Sequence, residues 1–117
     1  MTLESTLQSA LLLAAPSRLP DVRFFRRNIG AANMHGATVR FAIKGQCDLY
    51  GITRGGRHLE VELKAAGERL KPDQKTWASW CKQWEVPHIV LTGEEDETVE
   101  ETVERWIGEL ETILATQ

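Results

Sequence analysis

One aspartate and an E-x-K triplet, separated by a glycine-rich turn, are the residues of this chain best suited to chemistry. Asp48 stands near the start of one apolar run, and Glu62 and Lys64 stand in the alternating run of residues 59–64. Alternation with period two predicts a half-buried strand on which Glu62 and Lys64 project from one face, ~7 Å apart. We therefore expect both side chains to reach a common water, metal ion or phosphate.

A hairpin would bring Asp48 next to this triplet. Residues 47–52 are predicted to form the preceding strand, and residues 53–56 supply turn residues that join antiparallel neighbours. In that register Asp48 lies beside Glu62, and two converging carboxylates need a cation to relieve their repulsion. Oxygen-only sites with open water positions suit Mg²⁺ or Mn²⁺. Lys64 would then orient an attacking water or neutralise charge on a pentavalent phosphate.

The same residues have a plainer interpretation as ordinary surface. Glutamate and lysine are common, and an E-x-K triplet on a strand is more often a solvated face, so the triplet alone has low specificity. The combination is more specific, because Asp48, a turn with glycines, the triplet and a helix that opens with Gln74 follow one another in order.

Four short stretches carry a resemblance to a known family. The chain contains RRN, GQCDL, EVELK and PDQKTW in that order. This pattern resembles the virus-type replication-repair nuclease (VRR-NUC) branch of the PD-(D/E)XK nuclease superfamily, over roughly residues 1–92. Cys47 stands where the superfamily name has proline, and Lys71 stands where a Ser or Thr helix cap would be usual. Neither departure removes a catalytic group.

The resemblance implies a role for each residue of the pattern. In that family the aspartate and the glutamate of E-x-K bind the divalent metal, which here implies Asp48 and Glu62, with the backbone carbonyl of Leu63 as a further ligand. The lysine that serves the nucleophilic water falls on Lys64. The helix glutamine that supports the site, by contact with the lysine or the water, falls on Gln74.

Glu4 is the sole candidate for the amino-terminal helix glutamate that often joins the metal ligands in this family, because no other acid precedes Asp21. It shares a helix side with Leu7 and Leu11, so it can point inward. A first-turn acid also complements the helix dipole, and the spacing permits both roles.

Length and charge allow one site that binds phosphate. The chain has 117 residues, so we expect a single domain with one core. The resemblance implies that this is a nuclease domain over residues 1–117. Its net charge is -3, yet residues 18–75 hold twelve basic and six acidic residues, whereas residues 76–117 hold two and ten. Phosphate binding depends on local basic surface more than on overall charge. The residues expected to contact DNA are Arg26, Arg27, Asn28, Lys44, Arg54, Arg69 and Lys71.

The cysteines and histidines do not have the spacing of zinc ligands, so we expect no zinc site. Cys47 and Cys81 occupy apolar runs, which favours a reduced, cytoplasmic chain, and the resemblance implies a bacterial or phage-infected host cell. The apolar run of residues 10–15 is too short to span a membrane, and no basic residue precedes it as in a signal peptide.

The predicted elements alternate between helix and strand. They are a helix at 2–15 ended by Pro16 and Pro20, strands at 22–28 and 39–44 flanking a flexible loop at 29–36, strands at 47–52 and 59–64, a helix at 72–85, a strand at 87–92 and an acidic helix at 94–115. This order predicts an α/β sandwich with a mixed sheet. The resemblance implies a restriction-endonuclease-like αβββαβ core with an extra C-terminal helix.

Three tryptophans in the helix at 72–85 invite an interpretation as a surface on which bases stack. Trp77, Trp80, Cys81 and Trp84 follow helical spacing. Stripes of this kind usually pack against a sheet, so we expect them to belong to the core.

The expected function is that of a Mg²⁺- or Mn²⁺-dependent DNA endonuclease, and the resemblance suggests branched DNA such as Holliday junctions or flaps as substrate. Two alternatives stay open: a DNA-binding module of the same fold that does not cut, and an interaction protein that works through the acidic helix. We also expect a homodimer, since cutting two strands needs two sites. Its expected interface is the stripe Val99, Val103, Trp106 and Leu110, with residues 39–44 as the next choice.

Overall fold

The computed structural model describes residues 2–27, 31–40 and 42–116. Asn28, one of the residues expected to contact DNA, lies outside these ranges. The elements in chain order are α1 (Leu3–Arg18), β1 (Val22–Arg26), β2 (Ala31–Met34), β3 (Ala37–Arg40), β4 (Leu49–Thr53), β5 (His58–Lys64), α2 (Pro72–Gln83), β6 (His88–Thr92) and α3 (Val99–Ala115). None of the helices in the described ranges is long and apolar enough to cross a membrane.

A four-stranded sheet of order β1-β4-β5-β6 forms the centre of the fold. β1, β4 and β5 pair antiparallel, whereas β5 and β6 pair parallel and are joined through α2. The predicted α/β class with a mixed sheet is therefore confirmed. β2 and β3 form a separate two-stranded sheet.

β5 is buried on both faces, and here the prediction of a half-buried strand is wrong. Leu59, Val61 and Leu63 enter the hydrophobic core with side chains of α1 and α3. Glu60 and Glu62 alternate with them and are also buried. The reason is tertiary: β5 lies between β4 and β6, and α2 covers its polar face.

α1 begins as predicted and ends later. Thr2 is its N-cap and accepts a hydrogen bond from the backbone N–H of Ser5 at 3.1 Å. The sequence predicts that Pro16 ends the helix, yet this residue lies inside it. Proline has no N–H to donate to the carbonyl of Leu12, so α1 loses one backbone hydrogen bond there and still continues to Arg18. The N–H of Leu19 still reaches the carbonyl of Ala15 at 2.7 Å.

A β-hairpin replaces part of the predicted loop at 29–36. Strands β2 and β3 meet at His35 and Gly36, whose φ angles are 52° and 80°. Two successive positive φ values are the conformation that matches the twist of a two-residue hairpin. The predicted strand at 39–44 is also wrong in extent, because β3 ends at Arg40 and Lys44 lies in a turn.

α3 begins at Val99, later than predicted, because Thr98 caps it and accepts from the N–H of Glu101 at 3.1 Å. Its apolar stripe is part of the core: Trp106 is fully buried, and its indole N–H donates to the carbonyl of Thr92 at 3.1 Å. The stripe is therefore not an exposed dimer surface, and the dimer itself stays a prediction.

Only one row of α2 faces the sheet, so the prediction that the tryptophan stripe belongs to the core holds for its inner row and is wrong for its outer row. Cys81 is buried and Trp77 is half-buried, whereas Trp80 and Trp84 are 42% and 67% exposed. Residues four apart share a row, so Trp77 and Cys81 form the inner row and Trp80 and Trp84 the outer one.

Candidate functional site

A polar pocket of about 320 Å³ lies where β5 ends and α1 and α2 begin. The five side chains predicted to bind metal or to act in catalysis all line this pocket; they are Glu4, Asp48, Glu62, Lys64 and Gln74. The lining is Thr2, Glu4, Ser5, Gln8, Asp48, Glu62, Lys64, Glu68, Lys71 and Gln74. Leu63 has its side chain in the core, so only its backbone is available to the pocket.

Strand register brings Asp48 beside Glu62, as predicted. Leu49 of β4 pairs with Val61 of β5, which places the preceding Asp48 next to Glu62. The backbone N–H of Asp48 donates to Glu62 Oε2 at 3.1 Å. Lys64 Nζ lies 3.8 Å from Glu62 Oε1, and both side chains are almost fully buried.

The first turn of α2 holds the other oxygen of Glu62. Pro72 opens the helix, and the Gln74 Oε1 accepts from the backbone N–H of Lys71 at 2.8 Å. The Gln74 Nε2 is thereby turned to Glu62 and donates to its Oε1 at 2.7 Å. Gln74 therefore contacts the carboxylate of Glu62, whereas the resemblance implies contact with Lys64 or the water.

The carboxylates of the pocket repel one another. Burial first, and then the negative charge of Asp48, raise the pKa of Glu62 to about 7, against the opposing effects of the Asp48 backbone N–H and of Lys64. The pKa of Asp48 is also raised, because the effect of burial exceeds the opposing effect of Lys64. The pKa of Glu4 is raised by burial first, and then by Glu68 and Asp48. Negative charge at this pocket is thus only partly compensated by the protein.

The donor chemistry of the pocket fits Mg²⁺ or Mn²⁺, whose preferred ligands are carboxylate oxygens. Within residues 2–27, 31–40 and 42–116, however, no three His, Cys, Asp or Glu side chains are grouped so that they could hold a metal ion. The part of a metal site that the protein already provides is the carboxylate pair of Asp48 and Glu62. Mg²⁺ commonly uses one or two carboxylates and completes its shell with water and substrate phosphate oxygens.

Glu60 is a buried acid whose role sequence reasoning missed. It is 1% exposed and accepts two hydrogen bonds from Arg27, at 2.5 and 2.8 Å, and one from Trp77 Nε1 at 3.0 Å. His58 Nε2 is also within 2.5 Å of it. Burial raises the pKa of Glu60, but these partners more than offset the effect and hold it below its usual range. The sequence does hold a sign of this role, because the alternation of residues 59–64 places Glu60 on the same strand face as Glu62.

Arg27 connects this buried acid to the segment that carries Asp48. Its guanidinium also donates to the carbonyl of Cys47 at 3.0 Å and lies 5.0 Å from the ring centre of Tyr50. Its backbone N–H donates to the carbonyl of Asp48 at 2.8 Å. The predicted contact of Arg27 with phosphate is disfavoured, because its donors are committed within the protein.

The other residues expected to contact DNA divide by position. Lys71 lines the pocket, and Arg26 lies beside it, with Nη2 3.5 Å from Gln8 Oε1. Lys44 and Arg69 are exposed. Arg54 pairs with Asp21 at 2.7 Å in the turn after β4, and it lies six positions along the chain from Asp48, ~20 Å in an extended strand. Lys71 and Arg26 therefore lie at the pocket, whereas Arg54 lies away from it.

Comparison of the chain with protein-family models, curated proteins and solved structures finds no match. A function is therefore inferred from the pocket and from the motifs that form it.

Proposed function

We propose that this chain is a divalent-metal-dependent DNA endonuclease that hydrolyses phosphodiester bonds at the pocket of Asp48, Glu62 and Lys64. The observation that carries the proposal is the hydrogen-bonded register that holds Asp48 beside Glu62, with Lys64 buried 3.8 Å from the same carboxylate. Buried acids with raised pKa values cost folding free energy, and they concentrate at functional sites in proteins.

Each residue of the pocket has a chemical task in this proposal. Asp48 and Glu62, with the Leu63 carbonyl, would hold Mg²⁺ or Mn²⁺, which lowers the pKa of a bound water and offsets charge on the phosphate. Glu4 lines the same pocket but does not form a group of three metal ligands with them. Gln74 fixes the orientation of Glu62. The ammonium of Lys64 donates a hydrogen bond to the attacking water or to a phosphate oxygen.

The order of elements supports a restriction-endonuclease-like core. α1, β1, β4, β5, α2 and β6 follow the αβββαβ order, with the β2–β3 hairpin inserted and α3 appended. Preference for branched DNA, such as Holliday junctions or flaps, and a role in replication and repair rest on the resemblance of the motifs. A homodimer would place two such sites on opposing strands. Since the α3 stripe is core, the interface is expected near residues 39–44.

A DNA-binding module without catalysis is the second candidate. The observation in its favour is that the described residues hold only a carboxylate pair and no larger group of metal ligands. In that case the pocket would bind phosphate through Lys64 and Lys71 without a metal ion.

Cleavage of defined DNA distinguishes the two candidates. Labelled linear, flap and four-way-junction DNA is incubated with the protein in Mg²⁺, Mn²⁺ or EDTA. The nuclease proposal predicts cleavage with metal and none in EDTA, and a fall of about 100-fold or more in Asp48→Asn and Lys64→Met, the usual cost of removing a group that stabilises the transition state. Binding without cleavage in every metal would support the second candidate and refute the first.

A further inference from the structure

Two separate segments hold the two oxygens of the Glu62 carboxylate. The backbone N–H of Asp48 donates to Oε2 at 3.1 Å, and the Gln74 side chain donates to Oε1 at 2.7 Å. Asp48 belongs to the segment that precedes β4, whereas Gln74 lies in the first turn of α2. The orientation of the carboxylate therefore depends on how closely these two segments approach each other.

The two segments touch at Gly45. A Cβ atom added to this glycine would lie 2.3 Å from the backbone oxygen of Asp73 and 2.6 Å from its carbonyl carbon, closer than real Cβ atoms approach. Both atoms belong to the backbone of α2, so they cannot swing aside as a flexible side chain can. Asp48 follows Gly45 by three residues, and Gln74 directly follows Asp73. The contact thus joins the two segments close to the donors that hold Glu62.

A tight turn presents Gly45 to α2. The N–H of Gln46 donates to the carbonyl of Ile43 at 3.2 Å, and the Gln46 side chain accepts from the N–H of Ile43 at 3.0 Å. Gly45 occupies the third position of this turn with a φ of 95°, which glycine adopts without steric cost. Two properties of glycine are therefore used here, its conformational freedom and its lack of a side chain.

We propose that Gly45 is a positioning residue of the pocket, whose contact with Asp73 sets the separation between the Asp48 segment and α2. An alanine at this position must move the two apart by about 1 Å, since its Cβ would lie 2.3 Å from the Asp73 oxygen and ordinary contact begins at 3.4 Å. A misplacement of ~1 Å can cost about 100-fold in rate. That this geometry serves metal-dependent cleavage rests on the proposed function.

Gly45→Ala and Gly56→Ala form the matched pair that tests this role. Gly56 has a φ of 81°, close to that of Gly45, but an added Cβ there meets no atom within 4 Å. It lies in the turn between β4 and β5 and does not line the pocket. Both variants carry the backbone strain of an alanine at positive φ, and only Gly45→Ala also moves the two segments apart.

Hydrogen exchange in EDTA measures the geometry without metal or DNA. The Asp48 amide should exchange at least about 10-fold faster in Gly45→Ala than in the parent, because a shift of ~1 Å is enough to break its 3.1 Å hydrogen bond to Glu62. Exchange at the amide of Trp106, in α3, and urea midpoints report any general loss of stability. After correction for that loss, Gly56→Ala should keep the Asp48 amide as protected as in the parent.

Mn²⁺ calorimetry and cleavage assays measure the consequence for the pocket. In Gly45→Ala we expect Mn²⁺ affinity to fall at least about 10-fold and the cleavage rate to fall about 100-fold, while affinity for DNA in EDTA stays within about twofold. A merely structural loss would lower the fraction of folded protein and reduce all three alike.

Gln46→Ala is the milder variant, and it decides the outcome if Gly45→Ala does not fold. It removes the side chain that accepts from Ile43 and loosens the turn without any clash. We expect Asp48 exchange to rise and Mn²⁺ affinity to fall, each roughly 2- to 10-fold, the effect of one hydrogen bond.

Asp48 exchange in Gly45→Ala that matches Gly56→Ala would overturn the positioning role, and so would parent-like exchange in Gln46→Ala if Gly45→Ala does not fold. The nuclease proposal fails separately. A parent that neither binds Mn²⁺ nor cuts DNA would refute that proposal, while faster Asp48 exchange in Gly45→Ala would leave the positioning role of Gly45 standing.

Discussion

At the scale of single residues, Glu62 sets the chemical character of the pocket. Its carboxylate is 2% exposed and is held by Gln74 and by the backbone N–H of Asp48. Burial and the nearby Asp48 raise its pKa to about 7. The protein therefore keeps a proton on, or a cation near, this group at neutral pH, and the two compete for the same oxygens.

Glu62→Gln should stabilise the metal-free protein at high pH and not at low pH. The pKa of Glu62 is raised from 4.5 to about 7 on folding. Folded protein thus binds the proton more tightly, and this contribution to stability is full below pH ~4.5 and disappears as the pH rises through 7. Above that pH the variant should gain on the order of 1–3 kcal/mol over the parent.

Urea unfolding in EDTA at pH 5 and pH 8 measures this difference. Glu111→Gln, a change at an exposed acid of α3, is the control and should leave the pH dependence of the parent unaltered. A gain by Glu62→Gln that is equal at both pH values would show that the carboxylate is not destabilised by its ionisation.

At the scale of elements, the polar face of β5 is organised as two neighbouring contacts with α2. Glu62 meets Gln74 at the pocket, and Glu60 meets Trp77 and Arg27 one step earlier along the strand. Arg27 also donates to the backbone carbonyls of Cys47 and Asp48, so it ties the end of β1 to the segment before β4 and positions the backbone of Asp48.

Arg27→Ala should destabilise the fold strongly because the buried carboxylate of Glu60 loses its guanidinium partner and keeps only the contacts with Trp77 and His58. Removing one partner of a buried ion pair typically costs about 3–5 kcal/mol. Replacing both partners, as in Arg27→Met with Glu60→Leu, should recover most of that stability, because no charge then remains buried. Urea midpoints at pH 7 measure the free energies of unfolding.

Arg54→Ala removes an exposed ion pair with Asp21 and should change stability little. Equal destabilisation by Arg27→Ala and Arg54→Ala would mean that the buried pair has no special weight, and would contradict the positioning role given to Arg27.

Sequence patterns predict elements and register well where the information is local. Alternation in residues 59–64 places Glu62 and Lys64 on one face, and the glycine turn fixes their register against Asp48. The burial of that face is not predictable in this way, because it depends on α2 packing over β5. For the same reason the prediction that Trp80 and Trp84 belong to the core is wrong. An apolar stripe shows which side of a helix is apolar, but the width of the sheet beneath the helix decides how much of that side is buried.

At the scale of the whole molecule, acidic and basic surface are partly segregated. Arg18, at the C-terminus of α1, pairs with Glu104 of α3 at 2.7 Å. Glu4 stands fourteen residues earlier on the same helix, ~21 Å along its axis. This part of the acidic α3 therefore lies at the other end of α1 from the pocket, where it opposes DNA binding least.

Arg26→Ala should lower the salt dependence of DNA binding. Arg26 lies beside the pocket, and removing one interaction with a phosphate reduces the slope of log affinity against log salt by ~0.9. Arg54→Ala, far from the pocket, should leave the slope unchanged. Anisotropy titrations between about 50 and 200 mM salt measure both slopes. If Arg54→Ala lowers the slope and Arg26→Ala does not, DNA approaches from the opposite end of the sheet.

Asp48 and Glu62 are proposed to share a divalent cation, and the nuclease proposal depends on this shared ion above all. Calorimetric titration with Mn²⁺ measures it without any DNA. We expect saturable binding by the parent, none in Asp48→Asn, and retention in Glu100→Gln, a change at an exposed first-turn acid of α3. Absence of saturable binding at millimolar Mn²⁺, or binding that Asp48→Asn leaves intact, would contradict the shared ion.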